Sequence, residues 1–76
     1  MSMGRLAGFH YTEVARKLRT MGFRFDRQAR GSHEIWRHQE TGRKTTLVHQ
    51  RRDIPEGTLR AILREAGIDV DDFLRA

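Results

Sequence analysis

Residues 23–48 read FRFDRQARGSHEIWRHQETGRKTTLV and contain three short runs that favour β-strands. The runs alternate apolar with polar residues or are rich in β-branched and aromatic ones, and glycine-containing turns separate them. Three consecutive strands joined by short turns form an antiparallel meander. We therefore expect strands over residues 23–27, 33–38 and 44–48, with turns at Arg30-Gly31 and over residues 39–42.

A helix is predicted before this meander. The apolar positions there follow the 3-4-3 spacing of one helix face, at Tyr11, Val14, Leu18 and Met21. Thr12 is the expected N-cap, and Gly22 has the position of a residue just after a helix end. The first helix is therefore predicted over about residues 12–21.

A second helix is predicted after the meander. Its apolar positions fall at i, i+3, i+4 and i+7, at Leu59, Ile62, Leu63 and Ala66. Pro55 suits a first helical turn, and Asp53 with Glu56 has the spacing of a capping box. Thr58 is an alternative cap, and Gly67 is expected to end the helix.

These elements predict an α+β domain in which two helices cover one face of a three-stranded antiparallel sheet. Asp69 is expected to cap one further short turn. The α-β-β-β-α order is that of double-stranded-RNA-binding domains, which read backbone shape rather than base sequence. We expect residues 10–76 to form a single domain and residues 1–9 a flexible tail. The second face of the sheet is then open, and basic residues lie on it or along its rim.

The charge distribution favours a polyanionic partner. The 76 residues include 15 Lys plus Arg against 10 Asp plus Glu, a net charge of +5. Residues 1–52 hold 12 basic and 4 acidic residues (net +8), whereas residues 53–76 hold 3 basic and 6 acidic ones (net −3). Most of the basic residues are arginine, whose planar guanidinium suits phosphate. The first two-thirds of the chain is therefore expected to bind nucleic acid, with a merely solubilising surface as the alternative.

Several function classes are disfavoured. The chain has no cysteine, which removes disulfides and thiol chemistry and fits a cytoplasmic location. No apolar run approaches the ~20 residues that span a bilayer, and the first eight residues do not read as a signal peptide. His33 and His38 stand one residue too far apart for the zinc-protease motif, so we expect no metal or other cofactor. Ser32 lacks the glycine-flanked elbow of a serine nucleophile.

Among the classes of catalysis, acid–base cleavage of RNA is still compatible with the sequence, because the RNA 2′-hydroxyl can itself supply the nucleophile. His33, at a strand start among arginines, is the candidate general acid or base. In a meander the third strand lies beside the second, so we expect Lys44 next to His33 and treat His49 as a candidate second acid or base. The candidates for RNA binding are Arg27, Arg30, Ser32, Arg37 and Lys44.

Each of these residues also has a structural interpretation. A lone histidine on a strand is more often hydrogen-bonded than catalytic. Trp36 could stack on a base, but a single strand aromatic more often belongs to the core, as we expect for Phe23 and Phe25. Two other functions therefore stay open: a non-catalytic RNA-binding module, and a domain whose basic face binds an acidic protein.

Four stretches, taken in order, resemble the HicA (YcfA-like) toxins: Gly22-Phe23, residues 27–36 with Gly31-Ser32-His33, residues 46–49, and residues 57–68. The resemblance covers about residues 10–74. It implies a double-stranded-RNA-binding-like fold and an endoribonuclease (mRNA interferase) that is the toxin of a type II toxin–antitoxin pair. The catalytic histidine of the family's Gly-Ser-His motif corresponds to His33.

The resemblance also implies partners. The substrate would be single-stranded mRNA, and the protein partner a HicB-type antitoxin that folds over the active site. Any contact with DNA would come indirectly, through that antitoxin. Members commonly have a proline two residues before the second histidine, where this chain has Leu47, so the orientation of His49 stays open.

Overall fold

The computed structural model describes residues 4–76, and it confirms the predicted α+β fold. In order along the chain, the elements are α1 (Tyr11–Thr20), β1 (Phe23–Gln28), β2 (His33–His38), β3 (Lys44–Val48), α2 (Glu56–Ala66) and α3 (Val70–Arg75). The strands form one antiparallel sheet in the order β1-β2-β3. The helices α1 and α2 pack on one face of this sheet.

The register of the strands decides which side chains share a face. In β2, Glu34 and Trp36 are buried beneath the helices, while His33 and Arg37 are exposed. Residues paired across antiparallel strands point to the same face. The face that carries His33 and Arg37, with their partners in the neighbouring strands, is therefore the one without helices, and we call it the open face.

A β-bulge interrupts β1 at Asp26. Phe25 pairs with Trp36, but the next pair joins Arg27 to Ile35, so Asp26 has no partner of its own. A bulge of this kind reverses the alternation of side chains beyond it. Phe25 therefore points to the helix face, whereas Arg27, two residues later, points to the open face.

The core lies between the sheet and the helices. Its buried apolar residues are Leu6, Val14, Ala15, Leu18, Phe23, Trp36, Leu47, Ile54, Leu59, Ile62, Leu63, Ala66 and Phe73. The core positions predicted for Phe23 and Trp36 are confirmed. The prediction for Phe25 is wrong, because its side chain is 51 % exposed. Since β1 is an edge strand, no further strand within residues 4–76 covers the outer side of the Phe25 ring.

The segment before α1 packs against the domain, which differs from the flexible tail expected over residues 1–9. Leu6 is fully buried, and the Phe9 ring lies edge-on to Phe73 with 5.3 Å between centroids. The Phe9 carbonyl also accepts a 2.8 Å hydrogen bond from the Ile54 backbone N–H. Burial of Leu6 and packing of the partly buried Phe9 against the core explain the difference. The part of that prediction on residues 1–3 lies outside the described residues.

The helix ends differ from the prediction by one or two residues. Helix α1 begins at Tyr11, because the Glu13 carboxylate accepts a 3.0 Å hydrogen bond from the His10 backbone N–H, and Thr12 is not its cap. Pro55 stands just before the first residue of α2. The end of α2 at Gly67 is confirmed. The predicted cap of α3 is also confirmed, since Asp69 accepts a 2.8 Å hydrogen bond from the Asp71 N–H.

Candidate functional site

The open face carries one histidine and three of the predicted RNA-binding side chains. At one end, His33 pairs with Val48 of β3. Arg27 stands with Ile35 in the next row, about 7 Å further along the strand. Arg37 pairs with Lys44 at the far end. His33, Arg27, Arg37 and Lys44 thus share one uncovered surface, which we call the basic face.

A glycine turn holds His33 at the start of β2. The His33 N–H donates to the Arg30 carbonyl at 3.0 Å, and Gly31 inside this turn has φ +58°, which favours glycine. The Gln28 side-chain amide braces the turn by donating to the Gly31 carbonyl at 2.8 Å and to the His33 carbonyl at 3.1 Å. Hydrogen bonds therefore hold the backbone of the turn both before His33 and at His33 itself.

The contact of the His33 ring selects its tautomer. Nδ1 lies 3.0 Å from the Arg30 carbonyl oxygen, which can only accept a hydrogen bond. Nδ1 therefore carries the proton, and in the neutral ring Nε2 has a free lone pair. The side chain is exposed, so Nε2 is available to a ligand on the basic face. The arrangement can accept a proton at Nε2 and, once protonated, can donate it again.

The expectation that Lys44 lies beside His33 is wrong. The register pairs Lys44 with Arg37, four residues along β2 from His33, or about 13 Å away. Arg27 stands much nearer, because the bulge at Asp26 turns it onto the open face. Its guanidinium is mostly exposed and lies 3.1 Å from the Asp26 carboxylate.

Arg37 and Lys44 face each other as like charges. Both side chains are exposed, and among the residues that the structure describes neither forms an ion pair. Like charges directly opposite each other in a sheet destabilise it. A bound anion between them would remove that repulsion, so the far end of the basic face favours an anionic ligand.

His49 lies on the other face from His33. Its neighbour Val48 pairs with His33, and His49 follows the alternation to the helix side. There its ring stacks on Tyr11, with centroids 4.2 Å apart and planes 17° apart. Its Nδ1 lies 3.9 Å from Glu34 Oε2. The structure therefore does not bring the two candidate proton-transfer rings together on one face.

The remaining predicted residues have simpler surroundings. Arg30 and Ser32 belong to the glycine turn, where the Ser32 carbonyl accepts a 3.0 Å hydrogen bond from the His49 N–H. His38 has a structural contact, since its Nδ1 accepts from the Glu40 and Thr41 N–H groups of the second hairpin at 3.1 and 3.2 Å.

Glu34 forms a buried polar cluster that the sequence analysis missed. One carboxylate oxygen accepts from the Tyr11 hydroxyl at 2.7 Å and from the Trp36 indole N–H at 3.0 Å. Glu34 is only 7 % exposed, and it ties the first turn of α1 to β2. The signal was present in the strand pattern, because Glu34 stands two residues before Trp36 and must share its inward face.

The cluster predicts a specific loss of stability in alkali. Burial, together with the hydrogen bond to Glu34, raises the pKa of Tyr11 from 10.0 to about 12. Because the folded pKa is the higher one, the contribution of Tyr11 to stability is complete below pH 10 and is lost as pH rises towards 12. The difference in unfolding free energy between wild type and Tyr11→Phe should therefore shrink over that interval.

Urea denaturation at a series of pH values measures this difference, and other titrating groups cancel because both proteins contain them. Parallel stability curves for the two proteins from pH 9 to 12 would contradict the assignment.

Two negative findings apply to residues 4–76. No three histidine or carboxylate side chains there come close enough together to hold a metal ion. No helix in that range has the length and apolar character needed to cross a membrane.

Comparison with known protein families identifies the family of this chain. The family model described as "HicA toxin of bacterial toxin-antitoxin" matches residues 11–68, which include the whole sheet, the glycine turn with His33, and α2. No curated protein sequence matches the chain. Since the match spans well over half of the 76 residues, the chain belongs to the HicA family, the toxins of bacterial toxin–antitoxin systems.

Proposed function

We propose that this toxin is a metal-independent endoribonuclease that cleaves single-stranded mRNA on its basic face. The observation that carries the proposal is the 3.0 Å contact between His33 Nδ1 and the Arg30 carbonyl oxygen. Nδ1–H is held by the Arg30 carbonyl, which leaves the basic Nε2 free and exposed on a surface rich in cations. A group of this kind can remove the proton from an RNA 2′-hydroxyl.

The proposed reaction uses the nucleophile of the substrate. His33 Nε2 takes the proton of the 2′-hydroxyl, and that oxygen attacks the adjacent phosphorus. The bond from phosphorus to the 5′ oxygen breaks, which leaves a 2′,3′-cyclic phosphate and a 5′-hydroxyl. The departing oxygen gains a proton from solvent, and His33 loses its own proton to solvent. We assign only the first proton transfer to the chain, since His49 faces the other side of the sheet.

The cations have two roles in this proposal. Arg27 is the nearest of the sheet cations to His33 and stabilises the extra negative charge that develops on the attacked phosphate. The guanidinium groups of arginine suit this role because they donate two parallel hydrogen bonds to phosphate oxygens. The RNA backbone on either side of the cleaved phosphate is held by two groups of residues. One is Arg30 and Ser32 in the glycine turn, and the other is the pair Arg37 and Lys44 at the far end of the basic face.

The Arg37 and Lys44 pair gives a quantitative prediction. Replacing both with alanine should weaken binding of all single-stranded RNA sequences alike, because backbone contacts do not read bases. Each lost phosphate contact should also flatten the plot of log affinity against log salt by about 0.7. Fluorescence anisotropy of labelled RNA at several salt concentrations measures both effects.

A matched control replaces both Arg60 and Arg64 with alanine, which also removes two positive charges, here from the exposed side of α2. It should leave the salt dependence unchanged. An equal effect from this control, or a weakening confined to one RNA sequence, would argue against backbone binding on the basic face.

The protein partner in this proposal is a HicB-type antitoxin that covers the basic face and so blocks RNA. Such an antitoxin would supply any contact with DNA, and the toxin would act in the cytoplasm, where mRNA is present. Support comes from the family match and from the exposed cations, which suit an acidic protein surface as well as RNA. If the purified toxin binds RNA without cutting it, a non-catalytic RNA-binding module becomes the better description.

A further inference from the structure

Phe25 is an exposed aromatic side chain at the edge of β1, on the helix side of the sheet. Among residues 4–76 it is the one large hydrophobic side chain that is mostly exposed. Single exposed apolar residues are ordinary on protein surfaces, so exposure alone does not indicate function. The surroundings of Phe25 supply the further observations.

The ring of Phe25 packs against a buried aromatic ring. It lies edge-on to the buried Trp36 ring, with centroids 6.4 Å apart and planes at 85°. This is the favoured geometry for an aromatic pair. The Arg19 guanidinium covers the same Trp36 ring at 5.7 Å. A pre-oriented ring loses little conformational freedom when it binds a flat ligand.

The guanidinium groups of Arg24 and Arg27 lie on different sides of the β1 edge. Because of the bulge at Asp26, Arg27 lies on the open face while Phe25 lies around the edge of β1. The Arg24 guanidinium reaches the end of α1, where it donates to the Arg19 carbonyl at 2.9 Å. A polyanion crossing the edge of β1 therefore meets an aromatic ring between positively charged side chains.

The edge is within reach of the same RNA strand as His33. Phe25 pairs with Trp36, three residues along β2 from His33, or about 10 Å in the strand direction, but it points to the helix face, so one RNA strand contacts both residues only by bending around the edge of β1. Aromatic rings beside a positively charged groove are the usual means of holding single-stranded nucleic acid without reading its sequence.

We propose that Phe25 is a base-stacking subsite for single-stranded RNA, which holds one unpaired base a few nucleotides from the cleaved phosphate. This inference rests on the proposed endoribonuclease function and adds a binding residue to it. Phe25 acts on binding and not on proton transfer, so its loss should change KM and leave kcat unaltered.

The test uses short single-stranded RNAs with one base removed at each position in turn, together with three variants. Phe25→Ala and Phe25→Leu should each raise KM about tenfold with kcat unchanged, because both lack an aromatic face. Phe25→Trp should restore the wild-type KM. For the wild-type protein, an RNA that lacks the base at one particular position should show a similar rise in KM. For Phe25→Ala, removal of the same base should cause no further rise in KM.

Other results overturn the inference. If Phe25→Leu has the wild-type KM, or if removal of that base still raises KM in Phe25→Ala, no base stacks on this ring. If Phe25→Ala cuts RNA normally but escapes neutralisation by the antitoxin, the ring is a protein contact instead. If the wild-type protein binds no RNA, the proposed function fails and this subsite fails with it. If all three variants cleave RNA with the wild-type KM and kcat, the stacking subsite is refuted while the proposed endoribonuclease function stands.

Discussion

Replacing His33 with alanine should lower the rate of RNA cleavage by at least about 100-fold and leave RNA binding nearly unchanged. Within the described part of the chain the exposed ring makes one hydrogen bond, from Nδ1 to the Arg30 carbonyl, so its loss should not disturb the fold. The measurement is cleavage of single-stranded RNA by purified protein in EDTA, with binding followed separately by anisotropy. Growth of cells that express the variant should recover in parallel.

Two control variants make the result specific to Nε2. In His33→Asn the side-chain amide can still donate to the Arg30 carbonyl, but no base occupies the Nε2 position, so this variant should be as inactive as His33→Ala. His49→Ala should keep most of the activity, because the His49 ring faces the helix side against Tyr11. A His33→Ala protein that cuts RNA at the wild-type rate would refute the proposed mechanism.

Replacing Glu34 with alanine should destabilise the domain by about 3 kcal/mol. The change leaves the Tyr11 hydroxyl and the Trp36 indole N–H without their shared acceptor, and Trp36 is buried. Each buried donor left unpaired costs about 1–3 kcal/mol. Small domains are stable by only about 5–15 kcal/mol, so the loss should be evident in the urea midpoint.

Glu34→Gln separates hydrogen bonding from charge. The glutamine side-chain oxygen can still accept from Tyr11 and Trp36, so we expect this variant to lose less than half as much stability as Glu34→Ala. Equal losses from the two variants would show that the negative charge, and not the shared acceptor, stabilises the cluster. A Glu34→Ala protein as stable as wild type would show that the cluster has no structural role.

Local patterns predicted most of the fold. The bounds of the strands at residues 33–38 and 44–48 agree with the structure, because alternation and turn residues are properties of neighbouring positions. The positions of Leu6 and Phe25 were not predictable in this way. Leu6 is buried by contacts with residues distant in sequence, and the exposure of Phe25 depends on its place at the sheet edge.

The distance between Lys44 and His33 could have been predicted from the sequence. A turn over residues 39–42 pairs His38 with residue 43, and counting along the two strands then pairs His33 with Val48 and leaves Lys44 at the other end. The bulge at Asp26 had no comparable signal, since no glycine or proline marks it. Without that bulge, Arg27 would share the face of Phe25 and lie away from His33.

The identity of the nucleophile tests the proposed cleavage mechanism most directly. The measurement compares two single-stranded RNAs of the same sequence in EDTA, one of which has a 2′-deoxy nucleotide immediately before the cleaved phosphate. Mass spectrometry identifies the product ends. The proposed mechanism predicts a 2′,3′-cyclic phosphate from the unmodified RNA and no cleavage at that site in the deoxy substrate. Equal cleavage of the two substrates would contradict it.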